Sequence, residues 1–127
     1  MEMILELIVM RAGDGWQASY GDKTWRAAVG KSGIRRDKVE GDGASPAGSW
    51  PIRRVLYRAD KLAAAPVSVF DTTVIEPNDG WCDAPEHPDY NKPVRLPFAA
   101  SHEDMWRKDD LYDIVVVLGH NDDPIVP

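Results

Sequence analysis

The chain is poor in the residues that carry redox and metal chemistry. Cys82 is the only cysteine among 127 residues. One cysteine cannot close an internal disulfide, so cysteine usage assigns no oxidising compartment. It also excludes a cysteine-rich zinc site. The three histidines, His87, His102 and His120, are too scattered for a standard ligand spacing, so neither metal nor cofactor is expected. No apolar run approaches the roughly 18 residues needed to span a membrane. Basic residues are in deficit, with 15 Lys and Arg against 21 Asp and Glu and a formal net charge of −6. A duplex-DNA binder needs a net basic face, so nucleic acid is excluded as a partner. Docking on anionic lipid is disfavoured for the same reason. The first ten residues lack a basic start, carry Glu2 and Glu6, and precede no small-residue cleavage site. They do not read as a signal peptide.

What is present suits one folded domain spanning residues 1–127. Apolar residues make up 43% and charged residues 28%, inside the globular range. Ten Gly and ten Pro are spread along the chain, which favours short elements joined by turns and a mainly β fold. Met3 to Met10 reads as a buried strand. Ala12-Gly13-Asp14-Gly15 reads as a turn, and Trp16–Tyr20 with Thr24–Val29 as a hairpin about Gly21-Asp22-Lys23. Gly30 to Gly48 reads as a long ordered loop, and Ser49 to Arg58 as a strand. Asp60 to Ala65 reads as a helical turn stopped by Pro66. Val67–Phe70 and Thr72–Ile75 are short strand candidates, and Glu76 to Pro97 reads as irregular. Ser101-His-Glu-Asp104 has the chemistry of a helix start, with Ser101 as cap and two acids at the positive end. That helix is expected to be short and to end near Asp109. Leu111 to Gly119 is the clearest strand, apolar enough to be covered on both faces. Few residues follow it, so its edge is expected to be open and available to a second copy of the chain.

Several stretches resemble one known family. They are Lys38-Val-Glu-Gly-Asp-Gly-Ala-Ser-Pro-Ala-Gly48, Leu56-Tyr-Arg58, Gly80-Trp-Cys-Asp83, Asp89-Tyr-Asn91, Val94-Arg-Leu-Pro97, Ser101-His-Glu103, Trp106-Arg107, Leu111-Tyr-Asp113 and Gly119-His-Asn-Asp122. Together they resemble the N-terminal three-quarters of the L,D-transpeptidase catalytic domain (YkuD-type). Ala84 and His120 depart from the family pattern, which usually has an acid and a tyrosine there. The resemblance implies a YkuD-like mixed β-sheet with a short helix. It implies peptidoglycan stem peptides as partners, a cell-envelope setting, and acyl transfer through a cysteine thiolate with an N–H hole for the oxyanion. In that family the catalytic histidine and a Gly-Cys turn follow the Asn-Asp-x-Pro segment. The sequence ends at Pro127 before either. The expectation is therefore a domain truncated at its C-terminus, with an incomplete fold, no catalytic residue of its own, and no acyl-transfer activity as it stands. The alternative is a non-catalytic module or oligomer that binds peptide or peptidoglycan.

The remaining candidates carry two readings each. Cys82 can be a replacement nucleophile with His87, His102 or His120 as base, but Asp83 beside it would raise the thiol pKa, and a buried structural thiol is favoured. Gly41–Gly48 lacks the Gly-Lys-Ser/Thr of a P-loop, so it is a cleft rim or, preferably, a turn that needs glycine. His102 and Glu103 suit capping better than metal binding. Trp106, Arg107, Asn121 and Asp122 are the substrate-binding candidates. Arg107 would meet a stem-peptide carboxylate or, preferably, an internal acid such as Asp110 or Asp113. Trp81 and Trp106 suit core anchors. Asn121 and Asp122 would orient a catalytic group or make a turn.

Overall fold

A computed structural model of the chain describes residues 6–122 and residue 125. Eleven strands and no helix occur among the described residues. The mainly β expectation holds, and the short helix does not. The chain divides into two compact units between Ala47 and Gly48.

The first unit opens with an antiparallel meander of β1 (Ile8–Ala12), β2 (Gly15–Tyr20) and β3 (Lys23–Ala27). Both connections are two-residue Gly-Asp turns, closed by the pairs Ala12↔Gly15 and Tyr20↔Lys23. Gly13 and Gly21 stand at φ 61° and 60°. A positive φ at the first central position is the type II′ geometry that matches strand twist. The expected buried strand at Met3–Met10 is corrected here: the strand starts at Ile8, and all five of its residues are exposed. Residues 3–5 lie outside the described residues. As an edge strand of a three-stranded ribbon, β1 has a strand neighbour on one side only among the described residues, and apolar content alone cannot bury it.

Residues 28–47 form the ordered loop that its glycines suggest. Within it β4 (Ile34–Arg35) pairs in parallel with β5 (Ser45–Pro46). Asp42 organises the turn between them. One carboxylate oxygen accepts from the Ala44 amide at 2.9 Å and the other from the Val39 amide at 3.0 Å. Lys38 Nζ donates to the same side chain at 3.0 Å. Those amide bonds, ahead of Lys38, hold the Asp42 carboxyl down to about 2. Gly30 is obligatory for packing, because a Cβ there would stand 2.3 Å from the Gly43 carbonyl oxygen.

The second unit holds two three-stranded sheets. In one, β6 (Ile52–Tyr57) lies between β11 (Ile114–Leu118), antiparallel, and β7 (Asp71–Val74), parallel. In the other, β8 (Asp79–Cys82) lies between β9 (Pro93–Arg95) and β10 (His102–Asp104), both antiparallel. The core is small and lies mostly in this unit: among the described residues Val55, Ile75, Cys82, Tyr90 and Met105 are buried here, against Ala44 in the first unit.

Four local expectations are corrected in this unit. Within Ser101-His-Glu-Asp104, His102–Asp104 form strand β10. Its backbone bonds go to β8, as in Asp83 N–H to the Ser101 carbonyl and Met105 N–H to the Asp79 carbonyl. Ser101 Oγ donates to Asp83 at 2.6 Å, so the hydroxyl caps no helix. Sheet pairing overrides a local capping signal worth about 1 kcal/mol. Glu76–Pro97 contains β8 and β9, because its prolines fall at strand ends and turns. Val67–Phe70 is no strand, and Val67 and Val69 are fully exposed. Leu111–Gly119 contains β11, but among the described residues β11 is an edge strand bonded to β6 alone, and Ile114 and Leu118 are exposed. At Asp60–Ala65 a single turn forms through Lys61 and Leu62 N–H to the Arg58 carbonyl and goes no further.

Candidate functional site

The register of β6 against β11 slips between Val117 and Leu118, so that Arg54 faces Val117 while Ile52 faces Leu118. Arg53 is the extra residue of this bulge. Bulges re-aim side chains, and the two adjacent arginines part company here. Arg53 reaches Asp122 through Nε at 2.9 Å and through a terminal nitrogen at 3.2 Å. Arg54 lies with Leu56 on the face of β6 that lines a cleft of about 150 Å³. Thr73, Val74 and Ile75 line one wall, Asp79, Gly80 and Trp81 another, with Pro93 and Met105 completing it. The Arg54 guanidinium carbon stands 5.9 Å from the Trp81 ring centroid, within cation–π range.

Asn91 fixes the position of Trp81. It holds φ 59°, a left-handed conformation that asparagine tolerates better than most residues. Its Oδ1 accepts from the indole N–H at 3.1 Å, and its Nδ2 donates to the Asn121 carbonyl at 2.5 Å. Its own N–H donates to the Cys82 carbonyl at 2.9 Å. On the opposite wall Asp79 is fully engaged. It accepts from the Glu76 amide at 2.8 Å and from Arg95 at 2.5 Å.

The four sequence candidates fall into two pairs with separate partners. Trp106 lies under Arg58, whose guanidinium carbon is 3.6 Å from the ring centroid. Arg107 holds Asp109 in a bidentate pair at 2.8 and 2.6 Å. The internal ion pair is the observed one, but its acid is Asp109, while Asp113 holds Lys61 at 2.6 Å. The Arg107 pair, ahead of all other causes, pulls the Asp109 carboxyl down to about 2. Arg107 also stands over Tyr112, at 5.0 Å. Asn121 and Asp122 meet Asn91 and Arg53, as described above. Sequence reasoning missed Arg54 and the part played by Asn91. Alternation on β6 would have put Arg54 and Leu56 on one face, but the bulge beside them has no sequence signature.

Cys82 and His102 are directly opposite on β8 and β10. The flanking backbone bonds make this a non-hydrogen-bonded pair, the closer kind for side chains. The thiol is nonetheless completely buried. His102 Nδ1 lies 2.8 Å from the Ala100 carbonyl and Nε2 lies 3.3 Å from Asp104. Both ring nitrogens therefore face oxygen acceptors, and neither is placed to take a thiol proton. His87 Nδ1 accepts from the Asp89 amide at 3.0 Å. Among the described residues no group of three or more His, Cys, Asp or Glu side chains converges as a cation site. Among them, no helix is long and apolar enough to cross a membrane. Comparison with protein-family models, with characterised proteins and with solved structures found no match.

Proposed function

We propose that these 127 residues are L,D-transpeptidase-like and recognise a peptidoglycan stem peptide without themselves transferring an acyl group. One observation carries the reading. Residues from three separate stretches of the family resemblance bond to one another through Asn91: Trp81 and Cys82 of Gly80–Asp83, Asn91 itself, and Asn121 of Gly119–Asp122. Distant parts of the sequence thus converge beside a cleft with one cationic and one aromatic wall. The absence of acyl transfer follows from the thiol. Cys82 is the only cysteine, and it is sealed in the core. A nucleophile must reach its carbonyl and have a base beside it.

The test is incubation of the chain with a disaccharide tetrapeptide, read by intact-mass spectrometry and by calorimetry. Saturable binding with unchanged protein mass is expected. A mass increase matching a thioester would overturn the inactivity, and absence of heat at millimolar ligand would overturn the recognition.

A second reading has its own observation. The edge strand β11 exposes Ile114 and Leu118, and an open edge is a template for another strand. On that reading the chain is a self-pairing, non-catalytic module. Sedimentation velocity over a hundredfold concentration range distinguishes them: a concentration-independent monomer removes the second reading.

A further inference from the structure

We propose that the cleft of the second unit is a subsite for the terminal carboxylate of a peptide, with Arg54 as its anion-binding group; this rests on the reading of the same face as peptide-binding. The unit contains five arginines, and four of them are matched to acids. Arg53 holds Asp122, Arg58 holds Asp60, Arg95 holds Asp79 and Glu76, and Arg107 holds Asp109. Arg54 has no carboxylate within ion-pair distance among the described residues. Asp71 is its register partner on β7 and forms no ion pair with it. Asp79 lines the same cleft, but Arg95 and the Glu76 amide occupy its two oxygens. Arg54 therefore lines the cleft as a cation without an ion-pair partner among the described residues, with the Trp81 ring centroid 5.9 Å from its guanidinium carbon.

That arrangement selects its ligand. A guanidinium fork matches a carboxylate with two parallel hydrogen bonds. A single cation beside Asp79 suits a monoanion better than a doubly charged phosphate. Leu56, Ile75, Pro93 and Met105 make the remaining lining mostly apolar, a seat for the last side chain of a peptide. The volume of about 150 Å³ is below the roughly 300–1,000 Å³ of a whole small-molecule pocket. The cleft thus takes one end of a chain rather than its length. A peptide terminus, with a carboxylate next to a short side chain, has that shape. Trp81, held by Asn91, backs the guanidinium and limits its rotamers.

The experiment titrates the whole chain with three probes, followed by the indole N–H resonance of Trp81 and by calorimetry. The probes are N-acetyl-Ala-Ala with a free carboxylate, its C-terminal amide, and N-acetyl-Ala-Glu amide, which offers only a side-chain acid. Binding of the free acid is expected to be at least tenfold tighter than that of either amide. Arg54→Gln is expected to remove the preference, and Arg54→Lys to retain part of it. Equal affinity for the acid and its amide, or an unchanged preference in Arg54→Gln, overturns the proposal. Equal binding of the glutamyl amide overturns the assignment to a chain terminus. The comparison of probes on the unaltered chain stands even if a variant fails to fold. The outcomes also separate this site from the broader function. A disaccharide tetrapeptide that binds where acid and amide do not differ removes the Arg54 subsite alone. An acid preference without tetrapeptide binding removes the stem-peptide reading and leaves the subsite.

Discussion

The Arg58 guanidinium sits 3.6 Å from the Trp106 ring centroid while two of its nitrogens hold the Asp60 carboxylate at 2.8 Å each. A third interaction reaches across the unit, from a terminal nitrogen to the Arg107 carbonyl at 2.7 Å. Arg58 itself is buried. One planar cation thus joins the end of β6 to the segment between β10 and β11. Lysine carries the charge but has no fork and no flat face to stack. Arg58→Lys is therefore expected to lower the melting temperature clearly and to alter tryptophan fluorescence. Arg95→Lys, at a pair in which Arg95 and Glu76 are both 60% exposed, is the matched control and is expected to change little, as exposed pairs do. Thermal denaturation of the two variants side by side checks this.

The loop around Asp42 makes a prediction about acid. Its folded carboxyl is held at about 2, first by the Ala44 and Val39 amides, against an ordinary value of 3.8. A depressed carboxyl contributes stability that is present above its unfolded value and lost as pH falls through the folded one. The loop is expected to keep its protection down to about pH 4 and to lose it toward pH 2. Asp42→Asn should mimic the acid state at neutral pH, because an amide has one acceptor oxygen where the carboxylate has two. Hydrogen exchange at the Val39 and Ala44 amides reads both effects directly. Unchanged exchange in Asp42→Asn would show that the glycine turns alone hold the loop.

Ile75 is 1% exposed and Val67 is fully exposed, although both are β-branched aliphatics on either side of β7. Ile75→Ala removes buried methyl groups from a small core and is expected to cost about 2–5 kcal/mol. Val67→Ala should stay within about 0.5 kcal/mol, as surface changes do. Urea denaturation checks the pair, with shifted midpoint and unchanged slope marking a true stability loss.

The contrast between these two residues shows what the sequence could convey. The aliphatic run Ile114–Leu118 marked β11 correctly, because a strand-length aliphatic run bounded by turns has few other folds, and large apolar residues spaced through Ser49–Arg58 marked β6. The Gly-Asp turns at 13–14 and 21–22 were legible for the same local reason. Burial was not. Val67 and Ile75 read alike in sequence, and only the second is covered by the rest of its unit. The segment at Ser101 reads as a helix start because cap chemistry is local, whereas its pairing with β8 is made by residues twenty positions away. Arg107 was expected to meet an internal acid, but five acids lie within six residues of it (Glu103, Asp104, Asp109, Asp110 and Asp113) and sequence distance did not choose among them. Arg54 stayed hidden because its distinction is the lack of an acid partner, a property of five arginines compared in space.

Tyr112 is expected to ionise later than an ordinary phenol. Burial pushes its phenol above the ordinary 10.0, and its hydrogen bond to Glu103 pushes it further. A group with a raised folded pKa contributes stability that is present below its unfolded value and lost as pH rises through the folded one. The contribution therefore holds to about pH 10 and declines in stronger base. Glu103→Gln removes the neighbouring charge and should bring the late phenolate transition down in pH. Tyr112→Phe should delete it. Absorbance titration of the phenolate band in the three proteins tests this, and a late transition that survives in Tyr112→Phe would assign it to another tyrosine.

Cys82 supplies the last prediction, and it bears on chemistry as well as packing. Its thiol is completely buried, and His102 across the strand pair has oxygen acceptors at both ring nitrogens. Reactivity requires a thiolate that reagent can reach. A thiol-specific reagent is therefore expected to label the native chain only at the rate of unfolding, and to react at once in denaturant. Ala100 and Asp104 hold the imidazole from both sides, so Asp104→Asn should leave native labelling slow by freeing a nitrogen without opening the core. His102→Ala shortens the residue facing Cys82 and should speed labelling by admitting solvent. Rapid stoichiometric labelling of the unaltered native protein would mean an accessible nucleophile, and would remove the physical ground on which these residues are read as binding a stem peptide rather than acylating themselves with it.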